Sequence, residues 1–203
     1  MSIELPTKIY EGYIFDCDGT LAHSMPIHYE AWKQALDQSG AKFDFSVECF
    51  QSVAGIGHEE TVEIFNKRFG ESLDPVPVSK LKHQIYATLV DTIEPIVPVV
   101  EFAKKMLTEG RSVSVASGGD REMVRRTLAA IGMDGVFPVV VTQDDVTNGK
   151  PDPEIFLLAA EKMGVDPTKC VVFEDSPNGL KGAIAGGMET VVIPESITTN
   201  PGE

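Results

Sequence analysis

Carboxylates gather behind short apolar runs in this 203-residue chain. Tyr13-Ile14-Phe15 leads into Asp16-Cys17-Asp18-Gly19-Thr20, and Cys170-Val171-Val172-Phe173 leads into Glu174-Asp175-Ser176. Val113-Ser114-Val115-Ala116 leads into Ser117-Gly118-Gly119-Asp120. Val139-Val140-Val141 is followed by Gln143-Asp144-Asp145 and then Gly149-Lys150-Pro151. Where such runs lie side by side, one rim collects several carboxylates, a hydroxyl and a lysine. Crowded carboxylates repel one another and require a cation, and hard oxygen ligands suit Mg²⁺. A divalent ion, a lysine and a hydroxyl together make a good site for a phosphoryl group. Each residue alone has a plainer reading: Lys150 as a surface lysine, Ser117 as a turn or cap residue. Gly149-Lys150 is not a phosphate-binding P-loop, because Pro151 stands where Ser or Thr belongs.

The elements that must position these groups are legible as well. Continuous β-branched runs without alternation suit strands buried on both faces of a parallel sheet. A fifth run, Val191-Val192-Ile193, completes the set. Helices are predicted between the later runs. Asp120 opens one that Gly132 closes. Asp152-Pro153 reads as an N-cap with proline at the first helical position, with Gly164 as the stop, and Ser176-Pro177 opens a third. This alternation implies a doubly wound, Rossmann-like α/β fold, whose ligands sit beyond the carboxyl ends of the strands. The rhythm breaks after the first strand, since only helical patterns lie between it and residue 113, at 26–39, 58–69 and 79–93. Residues 71–77 (ESLDPVP) read as a loop and 94–98 (EPIVP) as a linker. The expected organisation is an α/β core of residues 1–24 and 94–203 with a helical insertion over 25–93. The polar stretch 196–203 is expected to fray.

Composition narrows the partners. The 31 acidic and 17 basic side chains leave a net charge of −14, which argues against nucleic acid and against an anionic membrane surface. With 42% hydrophobic and 24% charged residues the chain is an ordinary globular one rather than a disordered one. Its three cysteines are far apart and odd in number, which suits a reducing compartment. MSIELPTKIYEG holds no apolar stretch of signal-peptide length, and no run approaches the roughly 20 residues that span a bilayer. A cytoplasmic protein is expected.

The motifs resemble those of the haloacid dehalogenase superfamily of phosphatases. FDCDGTLAHS, residues 15–24, looks like its first motif, D-x-D-x-T. Ser117 looks like the second, Lys150 in GKPDPEIF the third, and Glu174-Asp175 in VVFEDSPNG the acidic fourth. All four stand in order at strand ends, and the resemblance covers essentially the whole chain. It implies a small α-helical cap domain where the insertion falls. Ser24, His28 and Trp32 follow Asp16 at intervals like those of the β-phosphoglucomutase-like subgroup, which includes phosphatases of fructose 1-phosphate. A cap lysine faces the active site in that subgroup, and Lys82 in LKHQIY is the match. The mutases of the subgroup carry a cap arginine after a glycine, whereas this chain reads Gly55-Ile56-Gly57-His58. A mutase needs a second anion site for its bisphosphate, so the missing arginine favours hydrolysis. Mutase activity is the alternative.

The resemblance further implies roles. Asp16 would be the nucleophile and Asp18 the acid and base. Ser117, Gly118 and Lys150 would bind phosphate. Mg²⁺ would be held by Asp16, the main-chain carbonyl of Asp18 and Asp175, with Glu174 assisting. His28 and Lys82 would serve substrate contact or closure. The implied substrate is a small phosphorylated sugar, and a monomer suits a cap that must swing. Trp32 reads as cap core, and strand alternation turns Cys17 away from its aspartate neighbours into packing.

Overall fold

The computed structural model describes residues 3–194; the stretch 196–203 lies outside them. Five strands form one parallel sheet: β1 (Gly12–Phe15), β2 (Ser112–Ala116), β3 (Val139–Val141), β4 (Cys170–Glu174) and β5 (Glu189–Val192), in the order β3-β2-β1-β4-β5. The central strand, β1, aligns Phe15 with Val115 on one side and with Phe173 on the other. The chain turns to one side for β2 and to the other for β4, so the crevice for a ligand opens at the carboxyl end of β1.

Strand alternation divides the core. Tyr13, Phe15, Val113, Val115, Val171 and Phe173 face one side, where α5 (Val97–Thr108) and α6 (Arg121–Ala130) pack. Phe15 stacks on Phe173 with ring centroids 4.4 Å apart. Ile14, Val141 and Val172 face the other side, against α7 (Glu154–Met163) and α8 (Pro177–Ala185). Cys17 continues the parity of Tyr13 and Phe15 and is buried in their cluster. All three cysteines are free and buried.

Between β1 and α5 lie four helices: α1 (Met25–Gln38), α2 (Val47–Gln51), α3 (His58–Phe69) and α4 (Pro75–Leu89). They enclose a cluster of their own, in which Trp32, Phe45, Phe50 and Phe65 meet edge to face or tilted. The segments entering and leaving this unit run side by side. Ala22 bridges Pro95, His23 donates its N–H to the Glu94 carbonyl at 2.8 Å, and Ile96 donates to Leu21 at 2.8 Å. Among the described residues no helix is long and apolar enough to cross a membrane.

Prolines account for most differences from the sequence reading. The predicted loop 71–77 is shorter, because α4 begins at Pro75. Asp74 caps it by accepting from the Val76 N–H at 3.3 Å, and prolines in a first turn lack only N–H groups that have no helical partner. Likewise α5 begins inside the predicted linker, at Val97, with Pro98 in its first turn. Helix α7 starts at Glu154, one residue later than Asp152-Pro153 implied, although Asp152 still accepts from the Glu154 N–H at 2.9 Å. Strand β5 ends at Val192, and Ile193 lies beyond it while still donating to the Glu174 carbonyl at 2.8 Å.

Phe65 is fully buried among the aromatic rings of the four-helix unit. Phe65→Ala is expected to cost about 3–5 kcal/mol, measured as a lower urea midpoint. An unchanged midpoint would show that this cluster does not stabilise the fold.

Candidate active site

The sheet delivers its polar residues to one rim. Asp16 extends β1 by one step, its N–H donating to the Phe173 carbonyl at 2.9 Å. The chain then turns tightly, with the N–H groups of Leu21 and Ala22 both 3.0 Å from the Cys17 carbonyl. Gly19 sits in this turn at φ +87°, and any side chain there would overlap the Asp175 carboxylate. Only glycine meets both demands. On the neighbouring strand, Glu174 ends β4 and Ser176 caps α8, its Oγ accepting from the Gly179 N–H at 3.0 Å.

Lys150 joins the two strand ends. Its Nζ donates to Asp16 Oδ1 at 2.6 Å and to Glu174 Oε1 at 2.9 Å, and its side chain is completely buried. Glu174 is held further by the N–H groups of Asp175 and Ser176, at 2.7 and 3.2 Å, and by the Ser176 hydroxyl at 3.0 Å. Asp175 accepts from Thr20 Oγ1 at 3.3 Å. Oxygens of Asp16, Glu174 and Asp175 all lie within 4.8 Å of one another. Three buried carboxylates thus meet one ammonium. Burial and the charge of Glu174 push Asp16 up to about 8, against the opposing pull of Lys150. The same two causes raise Asp175 well above the ordinary carboxylate range. Burial works against the charge on Lys150, but Asp16 and Glu174 outweigh it and raise the lysine. A dense, all-oxygen donor set short of positive charge fits a hard divalent cation.

Asp18 lies apart from that cluster. Its Oδ1 accepts from Ser24 Oγ at 2.7 Å, and His28 Nε2 stands 3.0 Å away, off the line of a good hydrogen bond. Burial works to raise Asp18, yet the His28 charge and the contacts from His28 and Ser24 hold it down at about 2. His28 stacks on Tyr86, with centroids 4.4 Å apart. Behind His28, fully buried Lys82 places Nζ 2.8 Å from His28 Nδ1 and 3.0 Å from His58 Nε2. Burial brings this lysine down to about 7, although Asp18 and Asp120 pull the other way.

Ser117 and Gly118, beyond the end of β2, line the pocket above these carboxylates, and Trp32, Phe50 and Val53 line it from the four-helix unit. Trp32 belongs mainly to the core of that unit. Gly118 approaches the Gly55 carbonyl so closely that a Cβ would collide with it, so the helical unit rests directly on the strand end. Asp16, Lys150, Glu174 and Asp175 therefore converge, and Asp18 with His28 and Lys82 forms an adjoining chain. Sequence reasoning did not single out Ser176 as a support for Glu174, nor His58 and His83 beside Lys82. The only hints were His83 following Lys82 and His58 standing after Gly55-Ile56-Gly57.

Residues 10–187 match the family of haloacid dehalogenase-like hydrolases. The chain is 34% identical over 183 residues to the fructose-1-phosphate phosphatase YqaB of Escherichia coli, covering 90% of this chain and 95% of that one. It is 30% identical over 185 residues to a phosphorylated carbohydrates phosphatase of Thermotoga maritima, covering 89% and 83%. Among solved structures, a hydrolase from Pseudomonas syringae superposes with a TM-score of 0.82 at 27% identity, covering 89% of this chain and 83% of that one.

Gly179 leaves room for Glu174, since a methyl group at that position would overlap Glu174 Oε1. Gly179→Ala is expected to lower stability by about 1–3 kcal/mol by urea unfolding, and to weaken divalent-cation binding in titration calorimetry. Wild-type values for both would show that the first turn of α8 yields without moving Glu174.

Proposed function

The chain belongs to the haloacid dehalogenase-like hydrolases, and from that premise we propose that it is a Mg²⁺-dependent phosphatase of small sugar phosphates, working through an aspartyl-phosphate on Asp16. The carrying observation is the buried Lys150 ammonium between Asp16 and Glu174, with Asp175 alongside, at the floor of an open pocket. Asp16, Asp175 and the main-chain carbonyl of Asp18 would hold the ion, with Glu174 assisting. When bound, Mg²⁺ supplies the positive charge that keeps Asp16 ionised and reduces its repulsion toward a phosphate dianion.

The chain's own residues do the rest. Lys150 fixes one oxygen of Asp16 and so orients the carboxylate toward phosphorus. As the Asp16 oxygen bonds to phosphorus, the bond from phosphorus to the sugar oxygen breaks, and Asp18 gives that oxygen a proton. The depressed proton affinity of Asp18 is no obstacle, because an arriving phosphate dianion favours its neutral form. Asp18 then takes a proton from the water that attacks phosphorus and releases Asp16. Ser117, the Gly118 N–H and Lys150 would bind the phosphoryl oxygens. Residues 25–93 act as a cap that swings about the paired segments at Ala22 and Pro95 and excludes water when closed. His28 and Lys82 then meet the sugar or complete the closed site.

Hydrolysis is preferred to phosphoryl relocation because the pocket wall holds no arginine among the described residues, and so lacks the bidentate seat that a second phosphate would favour. Similarity to a phosphatase of fructose 1-phosphate makes that ketose phosphate the first substrate to try. A monomer in the cytoplasm accompanies this reading, since three unpaired cysteines suit a reducing compartment.

A panel of hexose and pentose phosphates should release inorganic phosphate, fructose 1-phosphate among the best. Conversion of β-glucose 1-phosphate to glucose 6-phosphate without phosphate release would establish the mutase instead. Asp16→Asn should lose roughly 10³-fold or more in turnover; full activity in that variant would refute the covalent route. Chelation of divalent ions should abolish phosphate release, and added Mg²⁺ should restore it.

A further inference from the structure

Beyond Lys82 the polar chain continues to the surface. His58 Nδ1 lies 2.9 Å from His83 Nε2, which lies 3.3 Å from Asp120 Oδ2. His58 opens α3, His83 sits on α4 and Asp120 caps α6, so the three residues come from both the helical unit and the sheet domain. We propose that His58, His83 and Asp120 form a second metal site, selective for a divalent transition ion of the Zn²⁺ type, which fastens the four-helix unit to the sheet.

Geometry and donor chemistry carry the assignment. One atom from each residue lies within 4.8 Å of the others. Bonds of about 2.0–2.1 Å at tetrahedral angles place ligand atoms roughly 3.3 Å apart, close to the His58–His83 and His83–Asp120 separations of 2.9 and 3.3 Å. Two imidazoles and one carboxylate suit Zn²⁺, Co²⁺ or Ni²⁺, whereas the all-oxygen group at Asp16 suits Mg²⁺. The far nitrogen of His58 is engaged by Lys82, which orients the ring and leaves Nδ1 as its ligand atom. The proton between the two rings must leave Nδ1 and Nε2 when a metal enters.

Two buried acceptors beside the site, Asp120 Oδ2 and Gln143 Oε1, make no hydrogen bond among the described residues, although Asp120 Oδ2 has the His83 ring 3.3 Å away. Both residues line one open cleft together with His58, His83, Glu59 and Asp144. Unsatisfied buried oxygens are costly unless a cation or water meets them. The surrounding carboxylates draw cations to the opening, and the partly exposed His83 gives the ion a way in. A metal here would bridge α3 and α4 to the loop after β2 and so resist opening of the helical unit. Transition-metal loading would thereby restrain the motion that the proposed catalytic cycle requires.

The test is titration of the Mg²⁺-saturated protein with Co²⁺, followed by absorption. One Co²⁺ per chain should show the intense ligand-field bands of four- or five-coordination. His83→Ala should weaken that binding by roughly tenfold or more. Asp120→Asn, which keeps an oxygen to cap Met123, should weaken it too, and serves if His83→Ala folds poorly. Zn²⁺ should raise the thermal midpoint of the wild type and leave that of the histidine variant unmoved. Co²⁺ in the oxygen cluster would instead be six-coordinate and faintly absorbing. Faint bands alone, or binding that both variants leave unaltered, would overturn the site while leaving the phosphatase reading intact.

Discussion

Like charge packed into a buried space is the constraint on which the active-site region depends. Asp16, Glu174 and Asp175 approach one another where burial limits screening by water, and among the described residues Lys150 is the one cation paired with Asp16 and Glu174. Isolated charges in such a place cost several kcal/mol each after relaxation. The structure offsets that cost with main-chain N–H groups on Glu174, hydroxyls from Thr20 and Ser176, and the Lys150 ammonium. What remains uncompensated is a demand for more positive charge, which suits the region to a cation. Removing Asp16 or Glu174 would leave the buried Lys150 ammonium short of a partner, so the carboxylates and the lysine are held as a set.

The sheet meets this constraint at low conformational cost. Parallel strands end together, so residues far apart in sequence, such as Asp16 and Asp175, become neighbours through main-chain geometry alone. Lys150 arrives from a third segment, after β3, and reaches Asp16. Rigid strand ends hold charged groups at fixed separations better than loops. The four-helix unit joins the sheet through an entry and an exit that pair at Ala22 and Pro95. Its own aromatic cluster gives it a hydrophobic core besides those on the two faces of the sheet.

Much of this was legible in the chain because both strand burial and motif chemistry are local signals. Apolar runs at 13–15, 113–116, 139–141 and 170–173 each became a strand, and the polar residues behind them reached one rim. Proline misled the reading at 75–77 and 97–98, where it opens helices rather than ending them. The same residue suits a loop and a first helical turn, since both lack the hydrogen bond that proline cannot donate. Short α2 was not anticipated, because five residues show too little periodicity to register.

By itself the sequence determined which groups could do chemistry and which strands would carry them, since residue type and buried periodicity are fixed by covalent order. Only the tertiary structure decided who touches whom. It gave Lys150 two carboxylates, set Asp18 apart from the cation cluster with Ser24 and His28, and lined up Lys82, His58, His83 and Asp120 across the seam between helices and sheet. Those partnerships depend on side chains from separate elements meeting within about 3 Å, a distance that no spacing along the chain encodes.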